Sequence, residues 1–223
     1  MKIIPVLAFE DNYIWLIGDG RYAAVVDPGD AEPVLDYLGR HGLHLAAILV
    51  THHHGDHTDG IEALLRHAAV PVYGPRKENI PGITHPVGTG DTVRLPELGV
   101  EFAVLDVPGH TAGHVAYYGA NSLFCGDTLF TCGCGKLFEG TPAQMHGSLQ
   151  KLAALPDDTQ VYCAHEYTLE NIRFAKKVEP ANRQLLERET RDLLTREQGR
   201  PTLPSTMALE KATNPFLRCE QPS

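Results

Sequence analysis

The chain has 223 residues, 43% of them hydrophobic, and carries 28 acidic against 19 basic side chains for a formal charge of −9. That size suits one domain with a packed core, or one domain with a small appendage. The negative balance disfavours nucleic acid as a partner, and no apolar run reaches the ~18 residues a membrane span needs.

The first elements read as short strands over Lys2–Ala8, Tyr13–Gly18 and Tyr22–Val26, with Asp19-Gly20 as a hairpin turn between the last two. Pro28-Gly29-Asp30 ends the third strand, and Asp30 is placed to cap a helix over Ala31–Arg40, where Val34, Leu35 and Leu38 recur at helical spacing. Leu45–Val50 returns as an uncharged, and so interior, strand. Thr58–His67 is predicted helical. A second set of strands is expected at Val72-Tyr73, Asp91–Leu95, Val100–Val107, His114–Tyr118 and Ser122–Cys125, then a helix over Pro142–Leu155 and a strand over Thr159–Cys163. Two strand-rich halves, each followed by a helix, predict two sheets with helices on their outer faces. Beyond Thr168 the chain turns helical and strongly charged over Leu169–Val178 and Asn182–Gln198, and Thr213–Ser223 shows no period.

The chemistry concentrates in Thr51-His52-His53-His54-Gly55-Asp56-His57, directly after an apolar strand. Imidazole and carboxylate are natural ligands of zinc and similar cations. In an extended segment His52 and His54 point to one side while His53 points away, as a packing or supporting residue. Three further strand-like runs each deliver one donor at their end: His110 after Val104–Val107, Asp127 after Leu123–Cys125, and His165 after Val161–Ala164. A lone one of these would ordinarily be a cap or turn former. Together with the cluster they make His52, His54, Asp56, His57, His110, Asp127 and His165 a ligand set for two divalent ions. Asp127, alone on its own strand end, is expected to bridge them. His114 precedes a strand-like run and is expected to hold the loop rather than bind metal. The five cysteines show no paired spacing, so neither a disulfide framework nor a thiolate zinc site at Cys132 and Cys134 is expected.

The motifs T-H-H-H-G-D-H, P-G-H-T-A-G-H, G-D-T-L-F, G-C-G-K-L-F-E-G and A-H-E-Y-T-L-E-N, with Pro204-Ser205-Thr206 and Asn214-Pro215-Phe216-Leu217-Arg218, resemble the glyoxalase II (hydroxyacylglutathione hydrolase) family of the metallo-β-lactamase superfamily. The resemblance runs from about residue 2 to about 218. It implies an α/β fold, a four-layer αββα sandwich over 1–167, followed by a helical substrate-binding region over 168–223. It assigns His52, His54 and His110 to one metal, Asp56, His57 and His165 to the other, and Asp127 to both. The metals are usually zinc, with iron and manganese also known. It also implies hydrolysis of S-(2-hydroxyacyl)glutathione, typically S-D-lactoylglutathione, to D-lactate and glutathione by a metal-bridging hydroxide. Asp56 and Asp127 are the residues expected to serve the reaction directly. Lys136 and Tyr167 match residues that contact the glutathione moiety; Phe138 stands where some members carry tyrosine, and lacks its hydroxyl. Gly133, Gly135 and Gly140 surround that loop and suit a backbone that approaches a ligand.

Family members continue for about thirty residues past Asn214–Arg218 with basic residues for the glycine carboxylate, whereas this chain stops at Ser223, so a raised KM or a broader choice of thioester is expected. The other readings are a broader thioesterase or lactonase, a β-lactamase, an iron-dependent persulfide dioxygenase-like oxidoreductase, and a non-catalytic metal-binding module. The start of the chain, with Glu10-Asp11 close behind a short apolar stretch, predicts no secretion leader and a cytoplasmic protein with reduced thiols. A monomer is expected.

Overall fold

The computed structural model describes residues 1–220; residues 221–223, the end of the stretch without period, lie outside the described residues. The first sheet has the order β1 (Lys2–Ala8), β2 (Asn12–Gly18), β3 (Tyr22–Val26), β4 (His44–Leu49), β5 (Val72–Pro75) and β6 (His85–Val87). β1 to β3 pair antiparallel, while β3 to β6 pair parallel. The two-residue period of a strand explains the layering. On β2, Tyr13, Trp15 and Ile17 enter the core between the sheets, whereas Ile14 and Leu16 join Val34, Leu38, Ile61 and Leu64 of the helical layer.

That layer holds α1 (Glu32–His41), a single turn α2 (Gly55–Thr58) and α3 (Ile61–His67). The helix expected over Ala31–Arg40 starts at Glu32, with Ala31 at its N-cap. Asp30 still serves its start from one position further out, its Oδ1 accepting the Glu32 N–H at 3.0 Å. The helix expected over 58–67 is broken: Thr58 closes α2, and α3 begins at Ile61 behind Gly60, whose carbonyl accepts the Leu64 N–H and whose own N–H bonds Pro28 O, both at 3.0 Å.

The second sheet contains β7 (Thr92–Leu95), β8 (Val100–Asp106), β9 (Val115–Gly119) and β10 (Ser122–Gly126), joined antiparallel. A two-stranded hairpin of β11 (Leu129–Phe130) and β12 (Gly133–Cys134) follows, then α4 (Pro142–Ala153). β13 (Gln160–Cys163) lies parallel to β10 and pairs with β14 (Ser205–Thr206), giving the order β14-β13-β10-β9-β8-β7. Met145, Leu149 and Leu152 of α4 pack into the same core as Phe102, Phe124 and Tyr117. Helices, sheet, sheet and helix thus stack as an αββα sandwich.

The closing helical part comprises α5 (Thr168–Val178), α6 (Arg183–Glu197) and α7 (Met207–Thr213), with β14 (Ser205–Thr206) returning to the sheet edge. β6, the β11–β12 hairpin, β14 and α7 were not legible as periodic segments.

Buried hydrogen bonds fix the two sheets against each other. Tyr117 Oη donates to Val50 O at 2.7 Å, Trp15 Nε1 to Cys163 O at 2.9 Å, and Tyr13 N to Ala164 O at 2.7 Å. These bonds tie the end of β4 to β9 and the start of β2 to the end of β13, so donors from both sheets meet in one place.

Candidate metal centre

Four chain segments meet at that place: residues 51–57 after β4, 107–111 after β8, Asp127 after β10 and His165 after β13. His54 Nδ1 lies 3.0 Å from both His52 Nε2 and His110 Nε2. A second group forms around Asp56 Oδ2, 3.4 Å from His57 Nε2 and 3.5 Å from His165 Nε2. Asp127 stands between them. Its Oδ1 is 3.4 Å from the Nε2 atoms of both His57 and His165, and its Oδ2 is 3.4 Å from His110 Nε2. The sets His52/His54/His110, His52/His57/Asp127 and Asp56/His57/His165 each bring their donor atoms within 4.8 Å of one another.

The donors fit metal ions on a structural test. His57 Nε2 and Asp127 Oδ1 are fully buried with no hydrogen-bond partner. Buried polar atoms are almost always paired, because desolvation without a partner costs about 1–3 kcal/mol. Two orphaned atoms facing each other across the space enclosed by five imidazoles mark where cations sit. Two clusters of His and Asp donors make a dinuclear divalent site.

The ligand rings are oriented from behind. His110 Nδ1 donates to the Lys136 carbonyl at 2.7 Å, and His165 Nδ1 to Asp11 Oδ1 at 2.8 Å. His57 Nδ1 faces Asp27 Oδ2 at 3.1 Å. Thr51 Oγ1 donates to Asp27 Oδ2 at 2.8 Å and faces His52 Nδ1 at 3.1 Å, while Asn12 Nδ2 donates to Asp56 Oδ2 at 3.0 Å. A carbonyl only accepts, so the His110 proton sits on Nδ1 and Nε2 is left free for a cation.

Asp11, Asn12, Thr51 and Asp27 escaped the sequence reading. Asp27 did carry a signal, since it follows the apolar run Ala23–Val26 much as Asp127 follows its own strand. Its φ of 54° places it in the left-handed region, which Asp and Asn tolerate better than most residues. Gly29, two residues on, passes so close to Asp56 that a Cβ there would lie 1.9 Å from the Asp56 carbonyl oxygen.

The electrostatics follow from burial and charge pairing. Burial works to raise the Asp127 carboxyl, but the imidazoles of His57, His165 and His110 bring it down to about 2. Burial likewise opposes ionisation of Asp56, yet hydrogen bonding and charge from His57, with Asn12 and His165, hold it well below the usual carboxylate range. Burial pulls His57 down, and the Asp127 and Asp27 carboxylates lift it well above its ordinary value.

The remaining expected residues fall as follows. His53 points away from the ligand space, its ring nitrogens 3.0 Å from Glu78 Oε2 and 3.3 Å from Glu139 Oε1. His114 is fully buried. Its imidazole is pushed down to about 3, chiefly by that burial, and its Nε2 accepts the Asp127 N–H at 3.2 Å. Tyr167 stacks on His165 with centroids 4.8 Å apart. Phe138, 58% exposed, sets its ring edge-on to His54 and His110 at 5.3 and 5.2 Å, with Lys136 Nζ 5.0 Å above it. All three therefore border the donor cluster. The five cysteines are free thiols.

Residues 8–165 match the family model described as the metallo-beta-lactamase superfamily, and residues 166–223 the one described as the hydroxyacylglutathione hydrolase C-terminus. A hydroxyacylglutathione hydrolase of Nitrosomonas eutropha is 59% identical over 223 residues, covering 100% of this chain and 88% of the relative. One from Methylobacillus flagellatus is 58% identical over 221 residues, covering 99% and 88%. Among solved structures, that of ETHE1 from Myxococcus xanthus is similar with a TM-score of 0.73 at 28% identity, covering 96% of this chain and 84% of that one. The chain therefore belongs to the hydroxyacylglutathione hydrolase family of the metallo-β-lactamase superfamily.

Proposed function

We propose that this protein hydrolyses the thioester of S-(2-hydroxyacyl)glutathione, with S-D-lactoylglutathione as the typical substrate, releasing the 2-hydroxy acid and glutathione. The observation that carries this reading is the Asp127 carboxylate, with one oxygen toward His110 and the other toward His57 and His165. It is supported by 59% identity to a hydroxyacylglutathione hydrolase along the whole chain.

His52, His54 and His110 would hold one cation, Asp56, His57 and His165 the other, and Asp127 both, with zinc as the first assignment. Two cations held there lower the pKa of a bound water toward 7 and polarise a carbonyl. The chain's own part is positional. Asp11, Asp27, Thr51 and the Lys136 carbonyl keep four ligand imidazoles aimed. Asn12 donates to Asp56 Oδ2, the oxygen that faces His57 and His165, and so fixes the carboxylate that would hold the second cation. Asp56, so far below the usual carboxylate range, is no general base by itself.

Lys136 is exposed at the rim, a cation in a chain of formal charge −9, and suits a carboxylate of the glutathione moiety. Tyr167 and Phe138 supply the apolar walls beside it. Residues 1–167 are read as the catalytic unit and 168–223 as the substrate-binding region. The same reading takes a cytoplasmic monomer without a nucleic-acid partner. The acidic balance supports the absence of a nucleic-acid partner, and the free thiols suit a reducing compartment. No described helix is long and apolar enough to cross a membrane.

The second donor set weighs against a one-metal oxidoreductase, because Asp56, His57 and His165 converge independently of His54. Metal analysis of the purified protein with a substrate panel tests the proposal. Two metals per chain and turnover of S-lactoylglutathione ahead of an acyl-coenzyme A, a lactone and nitrocefin are expected. One metal per chain, or preference for another substrate, would reject it.

A further inference from the structure

The β11–β12 hairpin turns through Thr131 and Cys132, and Cys132 adopts a φ of 54°, which a residue with a side chain rarely holds unsupported. Side chains of the helical region hold the turn. Asn214 Nδ2 donates to both Phe130 O and Gly133 O at 2.9 Å. Asn171 Nδ2 donates to Thr131 O at 3.0 Å, and Glu210 Oε2 accepts the Cys132 N–H at 2.8 Å. Phe130, Thr131, Cys132 and Gly133 each have a backbone group held by a side chain from α5, from α7 or from Asn214, the residue that follows α7.

Glu210 and Asn214 are fully buried, and Arg188, only 2% exposed, donates from its Nη2 to Glu210 Oε1 at 2.7 Å. Arg188 also donates to Thr213 Oγ1 at 2.6 Å and to Asp192 Oδ2 at 3.2 Å. A buried ion pair of this kind is a poor source of stability and a good source of fixed geometry.

The hairpin runs directly into the metal centre. Gly135 packs so tightly that a Cβ would sit 1.7 Å from Asp127 O, and the Lys136 carbonyl accepts the His110 Nδ1 proton at 2.7 Å. We infer that Glu210 and Asn214 are positioning residues: through the hairpin they set the Lys136 carbonyl and the Asp127 backbone, and so keep His110 and Asp127 aimed at the metals. The inference rests on the metal centre of the proposed function but not on its substrate. The helical region then does more than border the substrate, since it holds part of the metal site in place.

The test uses the full chain loaded with zinc. Release to a chromophoric chelator and amide hydrogen exchange over 129–137 are measured for Asn214→Ala, Asn171→Ala and Asp192→Asn. Asn214→Ala is expected to release zinc about tenfold faster, in the range known for supporting residues of metal ligands, and to speed exchange across the hairpin. Asn171→Ala, at a half-buried position, is expected to do the same more weakly, and it stands in should Asn214→Ala fail to fold. Asp192→Asn touches Arg188 and Arg191 but no hairpin group, and should lower the melting temperature while leaving zinc release within twofold. Unchanged release in folded Asn214→Ala and Asn171→Ala, or equal acceleration in Asp192→Asn, would overturn the inference. Neither readout uses thioester turnover, so a wild-type protein inactive on S-lactoylglutathione would sink the functional proposal and leave this one standing.

Discussion

Asp56 is the most exposed carboxylate of the donor cluster, its side chain 41% accessible against 10% for Asp127. Of the two carboxylates it is therefore the one whose truncation opens the smaller buried gap. Asp56→Ala is expected to fold, to fall from two metals per chain toward one by elemental analysis, and to lose at least about a hundredfold in kcat. A variant with both metals and wild-type kcat would refute its role. Asp27 works one layer out. Asp27→Asn keeps a residue that tolerates the left-handed backbone, but turns one acceptor oxygen into an NH2 donor, so it can no longer accept both the Thr51 N–H and the Thr51 hydroxyl that shares its oxygen with His57. Metal affinity by chelator competition should drop about 10- to 100-fold with little change in fold. The difference in legibility between Asp127 and Asp27 has a physical basis. Asp127 sits in G-D-T-L-F beside other donor motifs, whereas Asp27 before Pro28-Gly29 looks like any acid in a turn until His57 is seen behind it.

Long elements announced themselves because packing and propensity agree in them. In α4, Thr141 Oγ1 accepts the Gln144 N–H at 3.2 Å and Gln144 Oε1 accepts the Thr141 N–H at 2.9 Å, a reciprocal cap written into T-P-A-Q. Thr141→Ala should cost about 1 kcal/mol in urea unfolding without touching metal content. The β11–β12 hairpin shows the opposite case. Two-residue strands carry no period, and G-C-G-K-L-F reads as a glycine-rich loop. Its conformation comes from Asn171, Glu210 and Asn214, between 40 and 84 positions away in sequence. The start of α1 moved for a smaller reason: Asp30 reaches the Glu32 N–H from outside the first turn, so the cap bond exists while the N-cap residue is Ala31.

Across the whole molecule the thiols report the packing. Burial pushes Cys125 and Cys163 in the intersheet core far above the usual thiol range, and lifts Cys132 and Cys134 to about 12. Cys219 is the exposed one. At pH 8 with iodoacetamide, mass spectrometry of the native protein should find Cys219 alkylated first, and Cys219→Ser should abolish the fast phase. Rapid labelling of Cys125 or Cys163 would contradict the packed core. Sequence by itself pointed to the layered class and to the candidate donors, because the donor-bearing segments follow strand-like runs and imidazole chemistry needs no neighbour to be recognised. Only the tertiary structure decided which acids aim which histidines, and that Asp127 divides its oxygens between two sets. The pair Asp11–His165 lies 154 positions apart, and such pairs exist only once buried hydrogen bonds have brought the ends of two separate sheets together.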